Sequence, residues 1–130
     1  MAPSWSPDGK KIAYHTDKGG DKRIFSIYLI NTDGSGNKKL LADDVHHSNP
    51  KWSPDGGKIG FTIGSGKESE VCIVNRDGTG FIRLTEQDGL DFLSSWYPDS
   101  KNICFHSNRD GKSKFYTVNL LTKESKLLTN

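Results

Sequence analysis

The phrase Trp-Ser-Pro-Asp-Gly stands at residues 5–9 and again at 52–56, and Trp-Tyr-Pro-Asp-Ser varies it at 96–100. A repeat at this spacing constrains the fold more than composition can, because each unit must be one supersecondary piece that buries its faces against its neighbours. The tryptophans lie 47 and 44 residues apart, and Asn31, Asn75 and Asn119 recur at intervals of 44. Leu40, Leu84 and Leu128 each follow an asparagine by nine residues. The three extra residues of the first unit therefore fall in the loop 17–23. An insertion with register kept on both sides marks a hairpin tip.

Each unit divides into four short stretches. The first runs from Pro3, Pro50 or Ser94 through the tryptophan to Pro-Asp-Gly or Pro-Asp-Ser, where Pro fixes φ and Asp and Gly favour a turn. The second alternates with period two, pairing Ile12 with Tyr14, Ile59 with Phe61 and Ile103 with Phe105. Between them lie Ala13, Gly60 and Cys104, small residues suited to the close approach of another sheet. The third stretch is almost continuously apolar, as in Val71-Cys72-Ile73-Val74, which predicts a strand covered on both faces. A tight turn at Asp33-Gly34 or Asp77-Gly78 then leads to the fourth, around the recurring leucines. Four antiparallel strands per unit, with apolar matter on both faces, describe a propeller blade. The predicted fold is all-β: three four-stranded blades at about 1–48, 49–93 and 94–130.

The combination of Trp-Ser-Pro-Asp-Gly, Ile-Ala-Tyr or Ile-Gly-Phe, an apolar strand ending in Asn, and Leu-Thr resembles the WD-like repeats of TolB-type β-propellers over essentially all 130 residues. The third copy departs from the pattern at Tyr97 and Ser100, which bears on the geometry of that turn. The resemblance implies a binding or assembly module that grips a peptide or protein segment, often in the periplasm. Similar repeats occur in oligogalacturonate lyases and in the gating propellers of prolyl-oligopeptidase-like enzymes, so fold analogy alone does not select a function.

Composition narrows the alternatives. The formal charge is +2, with Lys and Arg scattered among acids, so a nucleic-acid or anionic-membrane partner is not expected. No apolar run approaches the roughly 20 residues of a membrane helix, and Met1–Trp5 lacks the basic and apolar segments of a signal peptide. Cys72 and Cys104 sit inside apolar runs and are expected as buried free thiols. The three tryptophans, recurring at equivalent places, are expected to pack blade against blade. Asp8, Asp55 and Asp99 are expected to accept backbone N–H groups within their turns.

Three blades fall short of the four to eight of closed propellers, and the chain is expected to form half of a six-bladed ring as a homodimer. The competing expectation is a piece of a longer propeller. In an up-and-down blade the hairpins 17–23, 64–69 and 108–113 and the crossovers 42–49 and 86–93 emerge on one face, where binding groups are expected. The candidate partner-binding residues there are His46, His47, Asn49, Asp91, Phe92 and Arg109, with Leu93 beside them. Asp43-Asp44-Val45-His46-His47 could supply metal ligands to a lyase, but adjacent histidines do not easily converge on one ion, so no metal or cofactor is expected. Gly64-Ser65-Gly66-Lys67 lacks the first glycine of a phosphate loop and reads as a hairpin tip, and no Gly-x-Ser-x-Gly elbow is present. Arg109, in Asn-Arg-Asp-Gly, could clamp an anion or stand solvated in an ordinary turn.

Overall fold

The structure is a computed structural model that describes residues 3–17, 24–41, 45–86 and 88–128. Its strands form three separate four-stranded antiparallel sheets, each in sequential order. The first holds β1 (Ser4–Trp5), β2 (Lys11–Thr16), β3 (Ser26–Asn31) and β4 (Lys38–Lys39). The second holds β5 (His47–Trp52), β6 (Lys58–Ser65), β7 (Glu68–Asn75) and β8 (Ile82–Arg83). The third holds β9 (Asp91–Trp96), β10 (Asn102–Ser107), β11 (Lys114–Asn119) and β12 (Ser125–Leu127). These are the three predicted blades. No helix of the described residues is long and apolar enough to cross a membrane.

The turns behave as their residue types dictate. Asp55 Oδ1 accepts from Ser53 Oγ at 2.7 Å and from the Gly57 N–H at 2.9 Å. Asp8 repeats this with Ser6 and Lys10. In the third blade Tyr97 replaces the serine, and Asp99 takes over its task, accepting from the N–H groups of both Lys101 and Asn102. Ser100 adopts φ 57 where Gly9 and Gly56 have φ 71 and 73, so the variant turn keeps the shape of the other two. The recurring asparagines close the turns between the third and fourth strands, at the same end of the blade: Asn31 and Asn75 donate to Ser35 and Thr79, while Asn119 accepts from Leu121 and Thr122.

The inner strands begin earlier than the sequence predicts, at His47 and Asp91. Pro50 cannot donate to a ladder, and the register shifts between Ser48 and Lys51, with Asn49 at φ 55. This bulge lets the strand continue past the proline.

The core lies between the blades. One cluster joins the rear of the first sheet (Ala13, Ile27, Leu29, Leu40) to the front of the second (Trp52, Ile59, Phe61, Cys72, Val74). A second joins Val71, Ile73 and Leu84 to Leu93, Ile103, Phe105, Tyr116 and Val118, with Trp96 packed against it. Trp96 Nε1 donates to the carbonyl of Lys51 at 2.9 Å, across the blade boundary. Gly60 is small for this reason: a Cβ there would meet Trp96 Nε1 at 3.2 Å. Trp5 differs from its two equivalents, being 61% exposed where Trp52 is 6%. Both cysteines are free thiols; Cys72 is buried, and burial pushes its pKa up to about 12, whereas Cys104 is half-buried.

Candidate functional site

Hydrogen bonds tie the crossovers to the hairpin ends and build the looped face. His47 N–H donates to the Phe25 carbonyl and Gly64 N–H to the His46 carbonyl, at 2.8 and 2.9 Å. One blade on, Ser69 N–H donates to Gly89, and Ser69 Oγ to the Asp91 carbonyl at 3.0 Å. Leu90 N–H donates to Asn108 Oδ1 at 2.8 Å, fastening the second crossover to the third hairpin. A face built this way presents loop side chains from a fixed backbone.

The strongest polar feature on this face is centred on Arg109. Its Nη2 lies 2.9 Å from Oδ2 of buried Asp91, and its Nε donates to Ser107 Oγ at 3.0 Å. The guanidinium stands 4.7 Å from the Tyr116 ring centre and 5.1 Å from that of Phe105. It is therefore enclosed and paired with Asp91 instead of standing solvated, one of its two readings from the sequence: the hairpin folds the side chain back over the blade. Tyr116 donates its hydroxyl to Asp110, and that bond to a carboxylate raises the phenol pKa. Two depressions meet at Arg109. One of about 190 Å³ is lined by Leu84, Thr85, Glu86, Lys123 and Ser125 beside it, and one of about 460 Å³ by Glu86, Asp88 and Asp110. Because Asp91 already neutralises the guanidinium, the second presents three carboxylates; sequence reasoning missed Glu86 and Asp88.

The other site candidates separate into two layers. His47 and Asp91, the first residues of β5 and β9, are buried, and His47 packs its ring edge-on to Phe61 at 5.3 Å. They brace the face from beneath. His46, Asn49 and Phe92 are half-buried at its surface. His46 Nδ1 accepts from the Phe25 N–H at 3.4 Å, and Phe25 lies between the rings of His46 and His15. Asn49 Nδ2 donates to the carbonyl of buried Leu93 at 2.7 Å, linking two inner strands, and its N–H donates to His15 Nδ1 at 3.3 Å. Burial lowers the His15 pKa, as an imidazole that accepts at Nδ1 requires. Phe92 stacks on His106 at 5.1 Å. Asp43 and Asp44 lie outside the described residues. Among those described, no three His, Cys, Asp or Glu side chains converge as metal ligands.

Repeat and blade together point to one family, and the family model of the TolB β-propeller domain matches residues 1–130. The chain belongs to the TolB β-propeller domain family. The Tol-Pal system protein TolB of Bordetella pertussis (strain Tohama I) is 33% identical over 121 residues, covering 92% of this chain and 27% of that protein. The TolB-type chain thus spans about a quarter of the length of this curated relative. Among solved structures, TolB from Acinetobacter baumannii superposes with a TM-score of 0.81 at 26% identity, over 100% of this chain and 32% of that one. An oligogalacturonate lyase in complex with manganese superposes with a TM-score of 0.78 at 14% identity, over 99% of this chain and 41% of that one. The last likeness is one of fold alone.

Proposed function

We propose that this TolB-type chain is a non-enzymatic binding module that grips a peptide or protein segment through its looped face and channel mouth. The observation that carries this reading is the brace of Asp91, Arg109, Phe105 and Tyr116, which fixes the third hairpin to the second crossover, with Phe92 half-buried next to Asp91 and His46 and Asn49 half-buried on the first crossover. A preorganised rim loses little freedom on binding, and an aromatic such as Phe92 offers contact area at low entropic cost. The three carboxylates beside Arg109 favour a segment carrying lysine or arginine. In the proposed assembly two chains close a six-bladed ring, so that each looped face is shared around one channel.

The test is selection of peptides from a random display library on the immobilised chain, followed by titration of a selected peptide in solution. Phe92→Ala should weaken binding by about tenfold or more while leaving the melting temperature within a few degrees, and a chelator should change nothing. A chain that selects no peptide, or binds one equally well as Phe92→Ala, contradicts the reading. A divalent ion that raises the melting temperature of the wild type but not of a His46→Ala/His47→Ala variant would direct attention to lyase-like chemistry at 43–47 instead.

A further inference from the structure

Six aspartates in this chain are each followed by glycine: Asp8, Asp33, Asp55, Asp77, Asp88 and Asp110. The pair is chemically vulnerable, because glycine leaves its backbone nitrogen unshielded and free to turn toward the carboxyl carbon of the residue before it. Five of the six are locked in tight turns. The N–H groups of Gly9, Gly34, Gly56, Gly78 and Gly111 each donate to the carbonyl three residues back, at 2.8 to 2.9 Å. The carboxylates of Asp8, Asp33, Asp55 and Asp77 are held by a serine or threonine hydroxyl of their own turns, and that of Asp110 by the Tyr116 hydroxyl. The same bonds lower the pKa of the first four, and an ionised carboxylate is a poor acyl group.

Asp88-Gly89, in the second crossover, differs from the rest. Asp88 is exposed, and among the described residues neither its carboxylate nor the Gly89 N–H has a hydrogen-bond partner. Glycine is nonetheless demanded there: Gly89 has φ 118, and a Cβ would meet Asn108 Oδ1 at 2.8 Å. The fold thus requires the vulnerable pair and leaves it unlocked.

We infer that Asp88 is a site of spontaneous isomerisation to isoaspartate. The Gly89 nitrogen attacks the carbon of the protonated Asp88 carboxyl, an N–C bond forms, and the carboxyl hydroxyl and the amide hydrogen leave as water, closing a succinimide ring. Water then adds back. Cleaving the new N–C bond restores aspartate, whereas cleaving the original peptide bond leaves the chain running through the Asp88 side chain, with its mass unchanged. The main chain is then one methylene longer just ahead of the Gly89 carbonyl and Leu90 N–H, which bond Ser69 at 3.2 Å and Asn108 at 2.8 Å. Asp88 also lines the depression beside Arg109 with Glu86 and Asp110, so isomerisation moves one of its three carboxylates. Resting on the binding reading proposed above, the consequence is weaker capture of a lysine- or arginine-bearing peptide.

The test ages the chain at neutral pH, folded and in urea, labels isoaspartate with a protein carboxyl methyltransferase and locates it by peptide mapping. Asp88→Glu, whose longer side chain cannot close the same ring, is aged alongside. In the folded chain the label should enter the peptide holding Asp88 and be lost in Asp88→Glu, while in urea all six pairs should label. A folded chain that labels a locked pair as readily as Asp88, or stays unlabelled at Asp88 while the chain in urea labels there, overturns the inference. Binding of a basic peptide is followed on the same samples. Affinity that falls as isoaspartate accumulates, while aged Asp88→Glu keeps the affinity it has when fresh, supports the consequence for the site; undiminished affinity of the labelled chain overturns that consequence. A fresh chain that binds no peptide contradicts the binding reading, and the labelling alone then decides the isomerisation.

Discussion

Arg109 shows how much one side chain can hold when its charge is enclosed. Asp91 is buried and the guanidinium nearly so, so removing either partner strands the other out of water. Arg109→Ala should destabilise the chain by about 3 kcal/mol, measured by urea denaturation. Removing Glu70, whose ion pair with Arg83 is solvent-exposed, should cost under about 1 kcal/mol. Equal losses from the two substitutions would contradict the assignment. Neither Asp91 nor Ser107 could be tied to Arg109 from the sequence, since Asp91 is on a different strand and its burial depends on the inner strand beginning ahead of the proline. Backbone conformation makes a second single-residue prediction. Gly56 has φ 73, and a Cβ there would meet Pro7 at 3.6 Å, an ordinary contact. Gly56→Ala should therefore cost about 1 kcal/mol from backbone strain alone, as seen in the denaturation midpoint. Ser100→Gly at the equivalent turn should change stability far less, because the strain it relieves is offset by losing the bond from Asp55 N–H to Ser100 Oγ.

At the scale of the element, the turns give the fold its acid sensitivity. Hydrogen bonds from Ser6, Ser53, Ser35 and Thr79 lower the pKa of Asp8, Asp55, Asp33 and Asp77, and bonds from Lys101 and Asn102 lower that of Asp99. A depressed carboxyl stabilises the fold above its unfolded value of 3.8 and loses that contribution as pH falls through the lower folded value. His15, lowered by burial from 6.5, acts with the same sign at a higher pH, its contribution present above 6.5 and lost as the pH falls through its folded value. The melting temperature should therefore be flat from neutrality to about pH 9, above which the buried Cys72 thiol opposes ionisation and stability falls; on the acid side it should decline gently as His15 protonates and fall steeply below about pH 4. Asp55→Asn should flatten the acid limb; an unchanged limb would contradict the turn account. These turns were legible in the sequence because Pro, Asp and Gly act through local geometry. The start of β5 was not legible. Pro50 reads as a boundary, and the bulge at Asn49 that carries the ladder back to His47 depends on bonds to His15 and Leu93 in the neighbouring blades. For the same reason His47 and Asp91 read as rim residues and prove to be buried beneath it.

At the scale of the whole molecule, the three-fold recurrence of Trp, Asn and Leu made the blades and their order readable in the sequence alone. The small residues Ala13 and Gly60 marked where a blade is pressed by the next. What recurrence could not show is the inequality of equivalent positions. Leu40 and Leu84 are buried and Leu128 is half exposed, although all three make the same backbone bond to the third strand of their own blade. In the proposed two-chain ring a second copy would cover Leu128 as the next blade covers Leu40 and Leu84. Small-angle X-ray scattering of the chain across a dilution series tests the ring most directly, since it reports mass and dimension together. A closed pair predicts twice 14.4 kDa and a radius of gyration near 18 Å. A particle of 14.4 kDa with a radius near 14 Å at every concentration would contradict it.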